Sequence, residues 1–385
     1  MIIISKKLTG LSHDIHVDIG MGLSDALWLG DPSKHCSVEN LSSILRYDQE
    51  WIMCASSLKA YKLLGVASHD VRWAHALGAG RFKQCLLQHV ESIKDLITAA
   101  GEYLGTFCNI AGLLDRLEGG YITDSDIRGL ILKVQVESTR STINSMSLPS
   151  SPSAYDMCGT VTGRFVVRSG PRILTLPKRA RSYIIPEHGG TVMISDFRSL
   201  EPRIASIIAG HKPNDDVYAD MANNLECDIP RELVKLSTLS AMYGAARHRI
   251  EKSIGPDAGK VIRHVRNSLS ISRITRALTL EYSSAGYIKN IFGRPIFSKD
   301  VSATTLYSHF IQSSANDTAM LGFSTMISNL HDLGIHVYPK FVIHDALVFE
   351  LITDDLNIQQ DPVFCHIEID ELGTFPIETS VLNDR

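Results

Sequence analysis

Two aspartates in this 385-residue chain stand where a carboxylate is expensive to keep unpaired. Asp196 closes the apolar run Thr191-Val192-Met193-Ile194-Ser195 and is followed by Ser199-Leu200-Glu201-Pro202-Arg203, while Asp345 interrupts the run from Phe341 to Phe349. A lone charge at the edge of an apolar β-type run is costly unless a cation shares it, so the pair suits a site for two divalent metal ions. Either residue alone is better explained as a strand-end or turn aspartate; the case rests on the two together. Between them lies a helical segment, Arg231 to Gly244, that sets Arg231, Lys235, Leu239 and Tyr243 at intervals of four. Such steps stay near one helix face, so two cations and an aromatic ring line a strip able to grip a nucleoside triphosphate.

These residues need elements to hold them. The pattern predicts a strand ending at Asp196 and a helix through Ile204-Ala205-Ser206-Ile207-Ile208, with Pro202 tolerated in the first turn, where no intrahelical bond is lost. Apolar strands are expected at 337–343 and 347–351, forming a hairpin with His344-Asp345-Ala346 at its tip. Laid beside the Asp196 strand, that hairpin would bring the two carboxylates together. Residues 221–285 read as mostly helix, Gly286 to Arg294 as a short strand entering a turn, and Thr304 to Leu330 as a helix. Upstream, the Ser/Pro-rich stretch from Ser147 to Ser153 separates this half from a helical region spanning about 61–146, which a Gly119-Gly120 stop interrupts. Residues 1–60 show no clear pattern.

Bulk properties narrow the class. With 44% hydrophobic residues, a formal charge of −4 and a mean hydropathy of +0.03, the chain reads as a soluble, multi-lobed protein large enough for a sizeable core. Near-neutrality excludes a histone-like cationic coat but leaves room for a local basic groove. Basic clusters at Lys178 to Arg181, Arg247 to Arg249 and Arg263 to Arg266 fit either such a groove or a solvated face. The seven cysteines show no Cys-x-x-Cys pair and no zinc spacing, which points to a reducing, cytoplasm-like compartment. No apolar run approaches the roughly 18 residues of a membrane span.

Taken in order, the three chemical segments resemble motifs A, B and C of the DNA polymerase I family, family A. Asp196-Phe197-Arg198-Ser199-Leu200-Glu201-Pro202-Arg203 is similar to the family's Asp-Tyr-Ser-Gln-Ile-Glu-Leu-Arg. Arg231, Lys235, Leu239, Tyr243 and Gly244 stand in the frame Arg-x-x-x-Lys-x-x-x-Phe/Tyr-x-x-x-Tyr-Gly, with leucine replacing the aromatic. His344-Asp345-Ala346 matches His-Asp-Glu but lacks the third acid. Gly159 to Arg164 resembles the family's Thr-Gly-Arg segment, and Ile311-Gln312-Ser313-Ser314-Ala315 its Gln-Gly-Thr-Ala-Ala helix. The likeness covers roughly residues 150–385, and weakly the helices before it.

The resemblance implies an α+β right hand, with an antiparallel-sheet palm over 151–220 and 300–385, helical fingers over 221–299 and a helical thumb over 61–150; 1–60 is an N-terminal region whose role it does not give. It implies a template-directed DNA polymerase of a compact, phage-like kind that extends a primer 3′ end with two Mg²⁺ ions held by Asp196 and Asp345. Arg231 and Lys235 would contact the triphosphate as catalytic cations, and Glu201 would act as a steric gate against the ribose 2′-hydroxyl. Leu239 would lie against the sugar and Tyr243 by the templating pair. His344 would touch the primer end, and Arg164 and Gln312 the minor groove. Primer–template DNA and deoxyribonucleoside triphosphates are the implied partners, with a processivity factor or a helicase–primase as further candidates and no membrane. No exonuclease motifs precede residue 150, so neither exonuclease activity is expected. Two alternatives stand beside this: a single-subunit RNA polymerase, against which Glu201 speaks, and an inactive polymerase-like DNA-binding accessory protein, against which the retained Asp196, Asp345, Arg231, Lys235 and Tyr243 speak.

Overall fold

The computed structural model describes residues 1–385 except 21–25, 32, 48–54, 67–70, 150, 226–228, 245–257, 354–361, 371 and 383–385. The basic cluster Arg247 to Arg249 therefore lies outside the described residues. The chain divides into two units, Met1–Arg116 with Phe292–Arg294, and Leu117–Ile291 with Pro295–Arg385.

In the first unit the opening β-branched run forms a strand, β1 (Ile2–Ile4), between β2 (Ile15–Val17) and β3 (Leu27–Leu29), antiparallel to the former and parallel to the latter. Ile2 and Ile4 are fully buried, as expected of β-branched residues on a central strand. Helices follow at Val38–Leu45, Ala79–Ala100 and Tyr103–Asp115. The first is capped by Ser37, whose hydroxyl accepts from the Asn40 N–H.

The second unit is built on a five-stranded antiparallel sheet. After the small hairpin β4 (Ala154–Asp156) and β5 (Val166–Ser169) comes β6 (Thr191–Phe197). A minimal pair, β7 (Ile288–Lys289) and β8 (Pro295–Ile296), precedes β9 (His336–Ile343), β10 (Ala346–Ile352), β11 (His366–Ile369) and β12 (Gly373–Val381). The order in the large sheet is β11-β12-β6-β10-β9. The predicted hairpin thus lies beside the strand carrying Asp196. The helix expected over 304–330 spans Ala303–Asp332, started by Ser302, whose hydroxyl accepts from the Thr305 N–H.

One sheet face is closed by this long helix. Phe197 packs against Phe323 of the helix at 5.1 Å between ring centroids and against Phe375 of β12 at 6.2 Å. Gly322 permits that approach, since a Cβ there would lie 2.7 Å from the Phe197 ring. Successive side chains of a strand alternate between faces, so the packing that turns Phe197 toward the helix turns Asp196 to the opposite face. Further along that opposite face, Glu350 is wholly buried beside the equally buried Lys340, 3.1 Å away. It also accepts the backbone N–H groups of Glu187, His188 and Gly190 at 2.8 to 2.9 Å. This satisfied charge network ties the 187–190 segment to the sheet.

The region read as mostly helix resolves into Val217–Asn223, Arg231–Tyr243, Ala258–Ser268 and Ile271–Ala285. Among the described residues no helix is long and apolar enough to cross a membrane.

Candidate active site

The register of β6 and β10 brings the two aspartates together. Ala346 is the cross-strand partner of Asp196, and the Phe197 N–H donates to the Asp345 carbonyl at 3.2 Å. Two non-glycine residues in the left-handed region shape the site: His344 (φ 57°), in the two-residue turn between β9 and β10, and Ser199 (φ 53°), between β6 and the helix Leu200–Ile208. Such residues cost about 1–2 kcal/mol each, a strain that clusters where a site is shaped. Here they flank both carboxylates.

Asp196 carries the electrostatic signature of a shared site. Partial burial pushes its carboxyl up to about 6, with the neighbouring Asp345 and Glu378 adding repulsion and Lys178 opposing them. Burial likewise lowers Arg181, which Asp196 partly offsets. The basic cluster at 178–181 therefore stands beside the acids. Two carboxylates held at adjacent positions, one of them raised by burial and then by its acidic neighbours, form a hard-oxygen donor set that fits a divalent cation.

A second group of expected residues assembles next to the first. Glu201, in the first turn of its helix, forms an ion pair with Arg164 and accepts a hydrogen bond from the Tyr243 hydroxyl. Gln312 also hydrogen-bonds Tyr243, whose hydroxyl is raised chiefly by burial and then by Glu201. Arg164, Glu201, Gln312, His344 and Asp345 line one small cavity. Six sequence-predicted residues, Arg164, Glu201, Tyr243, Gln312, His344 and Asp345, thus meet beside Asp196, although they come from five distant segments.

Arg231 and Lys235 form a separate cluster. They lie on the same helix as Tyr243, with Arg231 about 18 Å away along its axis at 1.5 Å per residue. Both are exposed and sit over the ring of Tyr218, at 5.4 Å for the Arg231 guanidinium and 5.9 Å for Lys235 Nζ. Arg231 is paired with Asp216 at 2.5 Å and Glu232 at 2.7 Å. Leu239, half-buried, lies between the clusters on this helix. Gly244 ends the helix at φ 73°, and a Cβ there would meet Thr304 at 2.6 Å.

Sequence reasoning missed Asp216 and Tyr218. Asp216 caps the helix Val217–Asn223, accepting the N–H groups of Tyr218 and Ala219 at 3.0 Å, and the same carboxylate holds Arg231. An aspartate just ahead of a short apolar helix was the available signal. The role of Arg203 was also hidden. It is 2% exposed and donates to the carbonyls of Pro213, Asn214 and Asp215 at 2.7 to 3.2 Å. Burial lowers its guanidinium, with Asp215, Asp220 and Asp216 opposing. The arginine that closes the first motif thus braces the loop leading to Asp216.

No protein-family model matches the chain. It is 24% identical over 190 residues, 46% of its length, to a DNA polymerase of Mycobacterium phage L5, of which it spans 31%, about a third. Its structure resembles the polymerase domain of Pol1 from M. smegmatis, solved in complex with DNA primer–template and dNTP, with a TM-score of 0.60 at 13% identity over 90% of this chain and 82% of that one. The fold is therefore that of a polymerase domain, mixed α and β around an antiparallel sheet.

Proposed function

We propose that this chain is a template-directed DNA polymerase of the family A type, which adds deoxyribonucleotides to a primer 3′ end. The observation that carries the reading is the placement of Asp345 in the turn one residue before Ala346, the cross-strand partner of Asp196, in a fold shared with a polymerase domain. The likeness to a phage DNA polymerase supports it independently. The RNA-polymerase and inactive-accessory readings have no comparable support.

In this reading Asp196 and Asp345 hold two Mg²⁺ ions. When bound, these would make the primer 3′-hydroxyl nucleophilic and neutralise charge on the departing pyrophosphate. Arg231 and Lys235 bind the triphosphate, and Arg231 exchanges its pairing with Asp216 for phosphate oxygens. Tyr218 supports both cations from beneath. Glu201, fixed by Arg164 and Tyr243, fills the space of a ribose 2′-hydroxyl. Leu239 lies against the sugar and Tyr243 beside the templating pair. His344 meets the primer end, while Arg164 and Gln312 face the minor groove.

The large sheet and its flanking segments, 151–220 and 300–385, act as palm, 221–299 as fingers and 61–150 as thumb. Primer–template DNA and deoxyribonucleoside triphosphates are the substrates, in a reducing, cytoplasm-like compartment. Magnesium-dependent extension of a labelled primer on a template tests the proposal directly. Full-length extension is expected, and no extension at any magnesium or manganese concentration would overturn it.

A further inference from the structure

The two neighbours of Asp196 in the sheet differ in a way that matters for a cation. On the β10 side its partner is Ala346, buried and without a ligand atom, at the position where the resembled motif carries glutamate. On the β12 side its partner is Glu378. Directly opposed residues of an antiparallel pair present their side chains on one face, with Cβ atoms about 4.5–5.5 Å apart. Glu378 thus shares with Asp196 the face opposite the long helix, and Ala346, Asp196 and Glu378 form one row across three strands.

Among the described residues, the one ion pair Glu378 makes is weak: it joins Arg198 at 3.8 Å, and both side chains are more than half exposed. Such pairs contribute little to stability. Placing Glu378 beside an existing carboxylate adds repulsion, a cost that a shared divalent ion would remove. Among the described residues no three His, Cys, Asp or Glu side chains form a ready-made metal cluster. The added acid is therefore suited to the outer layer of a site, accepting from water on a cation rather than ligating it directly.

We infer that Glu378 supplies the third acidic group of the cation site, from the strand opposite the one on which Ala346 stands. This rests on the polymerase reading of Asp196 and Asp345. The acid stands on the β12 side of β6 rather than on the β10 side, and it acts as a positioning residue for the hydrated cations.

The test is manganese binding to the full chain, followed by the EPR signal of free Mn²⁺, with primer extension measured on the same preparations. Glu378→Gln should weaken Mn²⁺ binding about tenfold, the scale of lost outer-layer contacts, and raise the Mg²⁺ needed for half-maximal extension by a similar factor. Adding Ala346→Glu to that variant should restore both, which a merely structural role for Glu378 would not allow. Unchanged Mn²⁺ affinity and Mg²⁺ dependence in Glu378→Gln, in a chain that extends primers, would overturn this inference alone. If the unaltered chain extends no primer, or if Asp196→Asn and Asp345→Asn bind Mn²⁺ normally, the polymerase reading falls and this inference with it.

Discussion

The Tyr243 hydroxyl donates a hydrogen bond to Glu201, joining the last turn of the helix that carries Arg231 and Lys235 to the first turn of the helix that follows Asp196. The opposite side of the same carboxylate is taken by Arg164. A glutamate held from two sides cannot swing away, so it presents a fixed wall to whatever sugar enters beside it. Replacing it with alanine removes the wall without removing a metal ligand. Glu201→Ala should therefore raise ribonucleotide incorporation relative to deoxyribonucleotide by about 10- to 100-fold, the range open to discrimination of a single hydroxyl. Paired single-nucleotide kcat/KM values check this, and an unchanged ratio would count against the gate.

Arg231 is exposed, pre-positioned over Tyr218 and paired with Asp216. If it exchanges that pairing for the triphosphate, Arg231→Ala should lower kcat/KM for the nucleotide by about 10²- to 10³-fold, as loss of a charge-stabilising group does. DNA affinity should change little. Steady-state kinetics with a gel-shift control separates the two.

Arg203 braces the 213–215 loop from within the protein. Arg203→Met should leave three carbonyls without their donor and destabilise the fold by about 3 kcal/mol, the scale of a broken buried charge network. Urea unfolding monitored by circular dichroism measures this. Because the loop leads to Asp216, the nucleotide KM should rise as well.

Burial alone would raise Glu350, but the N–H groups of Gly190, Glu187 and His188 together with Lys340 hold it below its ordinary value of 4.5. A carboxyl depressed in the folded state stabilises fully above its unfolded value and loses that contribution as pH falls through the folded one. The fold should therefore weaken as pH drops below about 4.5. Glu350→Gln should cost about 3 kcal/mol at pH 7, since Lys340 stays buried with half its partners gone, and should flatten that acid limb. Thermal melts across pH 3 to 7 read both effects.

Much of the site was legible because its chemistry sits in local patterns. Asp196 and Asp345 each terminate or interrupt a long apolar run, and the β9–β10 hairpin announces itself through two such runs around a polar tip. What stayed hidden depends on pairing between distant segments. The 1–60 region gave no pattern because its strands are three residues long and β1 pairs with β3, with β2 lying between them in the sequence. Glu378 is an ordinary exposed acid until the β12–β6 register sets it opposite Asp196. Lys340 and Glu350 look like surface charges in the sequence, yet the fold buries both and pairs them.

The central claim is that the carboxylates of Asp196 and Asp345 work as a pair in nucleotidyl transfer. Primer extension by Asp196→Asn and by Asp345→Asn, with DNA binding measured on the same samples, tests it most directly. Each variant should lose at least about 10³-fold in extension rate, as removal of a metal-binding carboxylate predicts, while binding primer–template nearly as well as the unaltered chain. Extension at an undiminished rate by either variant would contradict the account.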